Sequence, residues 1–322
     1  TFVWPIALMR FGHTLYSTHP SKTPLVMLKK ILIAIIVIAG AALDMMAQKN
    51  ADIFPVPSAP ADLTSLQERS DYVISHFWDH CNVKSILSSQ KKFADAFDTY
   101  VNLLPLGSRR TVIRSIYNLL TQLEKHPKEL LFVAEQADAL LYSDTAKVKS
   151  DEAYLPFARA VAENKKVGRA EKARFAEQMR ILQECNVGMP APALEFTDSA
   201  GVRASLVAAA DTAAYTIIFF NDPDCIDCII ARGRLSANHM ANNLLDKGLL
   251  KIIAITPDDP SEDWNAQAAR YPSNWIVGFA PDARDFYDIR HTPTFYIIDR
   301  EKKIVSKDTP IDEIIRLFNN MM

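Results

Sequence analysis

Residues 215–230, YTIIFFNDPDCIDCII, constrain this chain more than any other stretch. Thr216 to Phe220 form a short apolar run, rich in β-branched and aromatic side chains, of the kind that fills a buried strand. Asn221, Asp222 and Pro223 break it, so the strand delivers Cys225 and Cys228 to a turn. Ile229 to Lys247 is long and mixed enough to be a helix, which puts Cys225 at or near its first turn. There the two sulfurs lie close enough to close a small disulfide ring, and unpaired N–H groups and the macrodipole favour a thiolate on the first cysteine. Cys225 is then the attacking sulfur. Cys228, one turn further in, resolves the mixed disulfide through which exchange passes. A structural disulfide or half of a metal site uses the same spacing; the strand-turn-helix context favours redox chemistry.

A chain of 322 residues suggests about two domains. Its apolar content of 49%, with 23% charged residues and a net charge of -2, suits a soluble protein with proper cores and gives no basic surface for nucleic acid. Residues 1–26 read as an extension upstream of the natural start. From Met27 a short basic segment (Lys29, Lys30) precedes an apolar run, Ile31 to Leu43, too short to span a bilayer comfortably, so residues 27–47 are expected to be a signal peptide. Cleavage after Ala47 leaves Gln48 first; cleavage after Ala42 and an uncleaved anchor are the alternatives. Either way the bulk of the protein is expected outside the cytoplasm, in the periplasm or elsewhere in the cell envelope. Pro55, Pro57 and Pro60 make residues 48–60 an extended linker.

Residues 61–187 carry apolar side chains at helical intervals, as in Ile113, Ile116, Leu119, Leu120 and Leu123, and read as an all-α domain of about five or six helices. Pro127 stands where a helix begins, Ser150-Asp151-Glu152 opens another, and Arg169 to Arg180 suggests one more. His76 and His80, four apart, share a helix face with Cys81 next in sequence, but the fourth ligand of a structural zinc site is missing, and Phe77 and Trp78 point instead to packing. Cys81 and Cys185 are either a disulfide or free thiols; spacing does not decide.

Residues 188–322 change in composition. Gly188-Met189-Pro190-Ala191-Pro192 ends the helical stretch, Ala193 to Leu206 alternates about an Asp-Ser-Ala-Gly turn as a β-hairpin does, and Leu249 to Thr256 reads as another buried strand. Ser261 to Arg270 is expected to be a short helix capped by Ser261, Trp275 to Phe279 a strand, Asp282 to Asp288 a short helix, and Lys303 to Ser306 a strand. Thr309-Pro310 opens a final helix with Ile311, Ile314, Ile315 and Phe318 on one face.

These elements, with P-D-C-I-D-C and T-P-T-F-Y-I-I-D, resemble a thioredoxin-like domain of the periplasmic thiol-disulfide oxidoreductase type, in the superfamily that includes the peroxiredoxins. The helical part, with ERSDYVISHFWDH and NLLPL, resembles the helical domain of unknown function that precedes such domains in exported bacterial proteins. The resemblance implies an α/β thioredoxin-like fold with a central mixed sheet flanked by helices. It also implies that Thr292-Pro293 is a cis-proline dipeptide facing the dithiol, whose backbone pairs with the substrate chain. Asp224 stands where the family often has tryptophan, and Ile226-Asp227 replaces a proline-containing dipeptide.

Asp222, Asp224 and Asp227 oppose the helix dipole and predict a reducing or weakly active thiol; alternatively they only cap the helix. The leading expectation is an extracytoplasmic thiol-disulfide oxidoreductase acting on protein thiols and disulfides, with catalytic Cys225 and Cys228 and substrate-binding Thr292 and Pro293. No metal and no cofactor is implied, since exchange needs only the sulfurs. A peroxiredoxin-like peroxidase is the alternative, weakened because Asp222 replaces the threonine it would place three residues before the reactive cysteine; a non-catalytic binding module is the third class.

Overall fold

The computed structural model describes residues 53–320. The expected upstream extension (1–26), the signal peptide (27–47) and the first residues of the linker lie outside the described residues. Pro55 to Pro60 adopt no regular structure. Phe54, just before them, is buried, with its ring edge-on to Phe93 at 5.3 Å.

The described residues fall into two units, one ending at Met179 and the other beginning at Arg180. Among the described residues six α-helices precede the first strand: α1 (Leu66–His76), α2 (Gln90–Leu103), α3 (Arg109–Leu123), α4 (Pro127–Ala137), α5 (Asp151–Glu163) and α6 (Arg169–Glu184). Their starts follow from side chains that satisfy otherwise orphaned N–H groups. Ser65 and Glu68 form a reciprocal capping box on α1, while the Ser108 and Ser150 hydroxyls accept from the amides of Thr111 and Ala153. Pro127 occupies the first turn of α4. Trp78, Phe93, Phe97 and Tyr100 pack as a buried aromatic group, and Phe77 joins them. The buried Tyr100 hydroxyl donates to Ser115 Oγ (3.0 Å), which donates to the carbonyl of Ile74 (2.6 Å), tying α2, α3 and α1 without leaving an unpaired hydroxyl.

The second unit is built on strands β1 (Glu195–Asp198), β2 (Arg203–Ser205), β3 (Tyr215–Phe220), β4 (Leu250–Thr256), β5 (Ile276–Phe279), β6 (Thr294–Asp299) and β7 (Ile304–Lys307). They form one sheet in the order β2-β1-β5-β4-β3-β6-β7. β3, β4 and β5 run parallel; β6 is antiparallel to β3, and β1 to β5. This is the mixed sheet flanked by helices that the resemblance implied.

Thr216 to Phe220 are all buried, because both faces of β3 are covered. Ile217 and Phe219 face a core shared with α8 (Ile226–Ser236), α9 (His239–Asp246) and α12 (Ile311–Asn319), numbered after the short helix α7 (Leu206–Ala209) and interleaved with α10 (Trp264–Ala268) and α11 (Ala283–Phe286). Ile218 and Phe220 face the opposite core with Leu194, Tyr287 and Tyr296.

Two local expectations are corrected. The single helix expected over Ile229 to Lys247 is two helices, α8 and α9, and the first starts earlier, at Ile226. They part because Asn238 turns extended and its Oδ1 accepts the Ala241 amide at 2.9 Å, an N-cap inside what reads as continuous periodicity. Ser261 does not cap α10. That helix begins after Asp263, and the Ser261 hydroxyl instead donates to Gln267 Oε1 at 3.1 Å.

Gly278 on β5 has a packing reason: a Cβ there would lie 2.5 Å from Phe196 Cδ2 and 2.6 Å from the Thr197 carbonyl oxygen. Backbone cannot give way cheaply, so Gly278→Ala should lower stability by about 1–3 kcal/mol. A fall in the urea midpoint at unchanged slope would show it; an unchanged midpoint would contradict this packing.

Candidate functional site

The last residues of β3 and the first of β6 lie side by side, with Phe220 paired to Thr294. Beyond that pair the two strands run into the loops that carry the expected site residues, and the structure brings all four expected residues together. Cys225 is the N-cap of α8, extended in backbone, and its sulfur accepts the Cys228 amide at 3.4 Å. Neither Asp222 nor Asp224 caps the helix: the sulfur itself holds that place. Asp227 lies in the first turn and is exposed. Asp222 Oδ1 accepts the Asp224 amide (2.9 Å), which rigidifies the turn before the cysteine.

Across the gap, the Thr292-Pro293 bond is cis, and the Cys225 thiol donates to the carbonyl of Thr292 at 3.6 Å, from 67 positions away in sequence. Thr292 and Pro293 are half-buried, so their backbone borders the sulfur without closing over it. The Thr294 hydroxyl donates to the carbonyl of His291 (2.6 Å), and His291 Nε2 lies 3.2 Å from Asp308 Oδ1, which braces this loop.

The two sulfurs occupy different environments. Cys225 is partly exposed; Cys228 is buried in the core beneath α8, with 3% of its surface accessible. Burial pushes the Cys228 thiol from 9.0 up to about 12, although the Asp222 amide donates to its sulfur at 3.4 Å. Both cysteines are free thiols, as are Cys81 and Cys185. Cys185 is buried, donates to the Phe286 carbonyl at 3.0 Å, and is likewise raised by burial, to about 11.

Sequence reasoning missed the supports of this loop. Asn221 is buried; its Nδ2 donates to the carbonyls of Phe219 (3.0 Å) and Ile255 (3.3 Å), and its Oδ1 accepts from the Tyr271 hydroxyl. Arg232 of α8 lies 4.6 Å over the Tyr271 ring, and Gln267 Nε2 donates to Asp224 Oδ2 at 3.3 Å. Asn221 was legible only as a strand breaker. Its distant partners Ile255 and Tyr271 stand 34 and 50 positions on, where no local pattern points to them.

Among the described residues, no group of three or more His, Cys, Asp or Glu is placed to hold a metal. His76 instead pairs with Asp79, Nδ1 to Oδ2 at 2.6 Å. No described helix is long and apolar enough to cross a membrane.

Residues 39–185 match the profile of a family described as a domain of unknown function, DUF5106. The structure is similar to a thioredoxin-like protein from Bacteroides caccae with a TM-score of 0.72 and 22% identity, covering 86% of this chain and all of that one. A conserved protein of unknown function from Bacteroides fragilis is 33% identical over 41% of this chain and 97% of its own, with a TM-score of 0.39. The thioredoxin domain of a thiol-disulfide oxidoreductase from Bacteroides vulgatus is 25% identical over 42% of this chain and 97% of its own, with a TM-score of 0.36. No curated protein sequence matches.

The raised Cys228 thiol has a thermodynamic consequence. Its folded value of about 12 lies above 9.0, so between those values the folded thiol keeps a proton that the unfolded one has lost, and the stability it contributes is present below 9.0 and lost as pH rises toward about 12. The reduced protein should therefore lose stability on alkalinisation more steeply than Cys228→Ser, as read by denaturant midpoints across pH. Equal slopes would contradict the burial assigned to Cys228.

Proposed function

We propose that this chain, which joins a DUF5106 domain to a thioredoxin-like domain, is an extracytoplasmic thiol-disulfide oxidoreductase that exchanges disulfides with protein substrates. The observation that carries the reading is the asymmetric dithiol: a part-exposed sulfur at a helix start, facing Thr292-Pro293, with a buried sulfur behind it.

The chemistry follows from that asymmetry. The Cys225 thiolate attacks one sulfur of a protein disulfide; a Cys225–substrate bond forms, the substrate S–S bond breaks, and the released thiolate takes a proton from water. Cys228 then attacks Cys225 Sγ, the Cys225–substrate bond breaks as the Cys225–Cys228 disulfide closes, and the proton from Cys228 goes to the departing substrate sulfur, which leaves the substrate as a dithiol that has gained two electrons. The Cys228 amide at the helix start donates to the Cys225 sulfur at 3.4 Å and so is placed to receive the negative charge the sulfur carries during exchange. Burial keeps Cys228 protonated until the mixed disulfide calls on it. The half-buried backbone at Thr292 and Pro293, beside Cys225, offers a neighbouring edge for the substrate chain.

The acidic residues beside Cys225 support a reducing direction. The couple is expected to have a reduction potential nearer the about −270 mV of thioredoxin than the about −120 mV of a strong oxidant. A value near the second would reverse the assigned direction.

In an insulin-reduction assay with a chemical reductant, the protein should speed precipitation, Cys225→Ser should fall to the uncatalysed rate, and Cys228→Ser should accumulate a mixed disulfide visible on non-reducing gels. Peroxide consumption lost in Cys225→Ser, with insulin reduction absent in the parent, would replace this reading by the peroxidase one. Activity in neither assay would leave the binding module.

A further inference from the structure

The helix that begins at Cys225 shows solvent an apolar face. Ile226, Ile229 and Ile230 are 74%, 42% and 51% exposed, while Cys228, Ala231 and Leu235 fill the core side of the same helix. Gly233 continues the exposed stripe, since positions 226, 229, 230 and 233 share one helix face. A Cβ at Gly233 would meet nothing within 4 Å, and its φ is not positive, so the chain's own fold does not require a glycine there. Glycine inside a helix is destabilising relative to alanine. The stripe therefore carries an open, flat end beside its isoleucines.

The charges nearest the sulfur are acidic. Asp222, Asp224 and Asp227 are exposed beside Cys225. The two arginines of α8 are both occupied within the domain: Arg232 lies over the Tyr271 ring, and Arg234 pairs with Asp312 at 2.6 Å. What meets a partner is thus an apolar stripe that starts one residue from the reactive sulfur and is acidic at that end.

We infer that this face receives the chain segment of the protein substrate around its attacked cysteine, and selects segments with apolar and basic residues beside that cysteine. The inference rests on the redox reading above and adds a substrate class to it. Three isoleucines cover on the order of a few hundred Å², against about 800 Å² on each partner in a stable complex. That area suits a transient redox encounter and is too small for a lasting dimer of this chain. Opposite charge on the substrate complements the aspartates and speeds encounter.

The test uses short peptides whose single cysteine is held as a mixed disulfide with nitrothiobenzoate, so that exchange releases a coloured thiol. One peptide carries leucine and lysine beside the cysteine, one carries serine and glutamate, and N-acetylcysteinamide has no flanks. The reduced protein should react with the leucine-lysine peptide about tenfold faster than with the serine-glutamate one, equivalent to roughly 1.4 kcal/mol in the barrier. The double variant Ile229→Ser/Ile230→Ser, and separately Gly233→Gln, should narrow that gap and leave the N-acetylcysteinamide rate unchanged. Equal peptide rates in the parent, or a gap that survives both variants, would overturn the inference while exchange with N-acetylcysteinamide kept the redox reading intact. Sedimentation showing a dimer that the double variant dissolves would overturn it in favour of a second copy. No reaction at Cys225 with any of the three would remove the redox reading itself.

Discussion

The pairing of β3 with β6 is the constraint on which the site depends. Phe220 opposite Thr294 is the last pair of a register that runs back to Tyr215 opposite Asp299. Because side chains alternate along a strand, a slip of one residue would turn Ile217 and Phe219 out of one core and Ile218 and Phe220 out of the other. Both faces are buried, so the register is specified twice. The same register sets Cys225 against Thr292. The site's precision is inherited from the packing of a strand that contains none of its residues.

Beyond the strand, polar contacts take over what apolar packing cannot do in a turn. Asn221 answers the backbone groups at the end of β3 and holds Tyr271; Asp222 and Gln267 brace the next residues. One helix start then gives two cysteines opposite conditions: Cys225 sits among N–H groups at the rim, and Cys228 sits a turn deeper, where desolvation keeps its proton on. The aspartates leave the cap to a sulfur and bring negative charge to the rim instead. Their effect is on which partners approach and in which direction electrons are favoured; Asp222 and Asp224 also hold the turn itself, through the Asp224 amide and the Gln267 side chain.

Local signals in the chain announced much of this. The buried run before Cys225, the hairpin about Asp198 to Gly201, and the helix opening at Ser150 are written in neighbouring residues, and the structure forms each where the pattern puts it. The facing loop at Thr292-Pro293 was legible through family resemblance, since nothing near it in sequence points to a cysteine 67 positions away. Three features escaped for physical reasons. Asn238 interrupts a helix while apolar periodicity continues across it. Ser261 spends its hydroxyl on Gln267, so its cap preference is overridden. Phe54, in a proline-rich stretch that reads as linker, finds a place against Phe93 that only the folded helices create.

The burial of Cys228 has a kinetic corollary. With one sulfur enclosed and one at the rim, the dithiol has a single doorway, and on the proposed chemistry both the protein that supplies electrons and the protein that takes them must use Cys225 in turn. Donor and acceptor compete for the same few ångströms of surface, so no ternary complex forms at the dithiol and turnover follows a ping-pong order. A face that suits one of them too well would slow the other's access, which sets a ceiling on how tightly either can profitably bind.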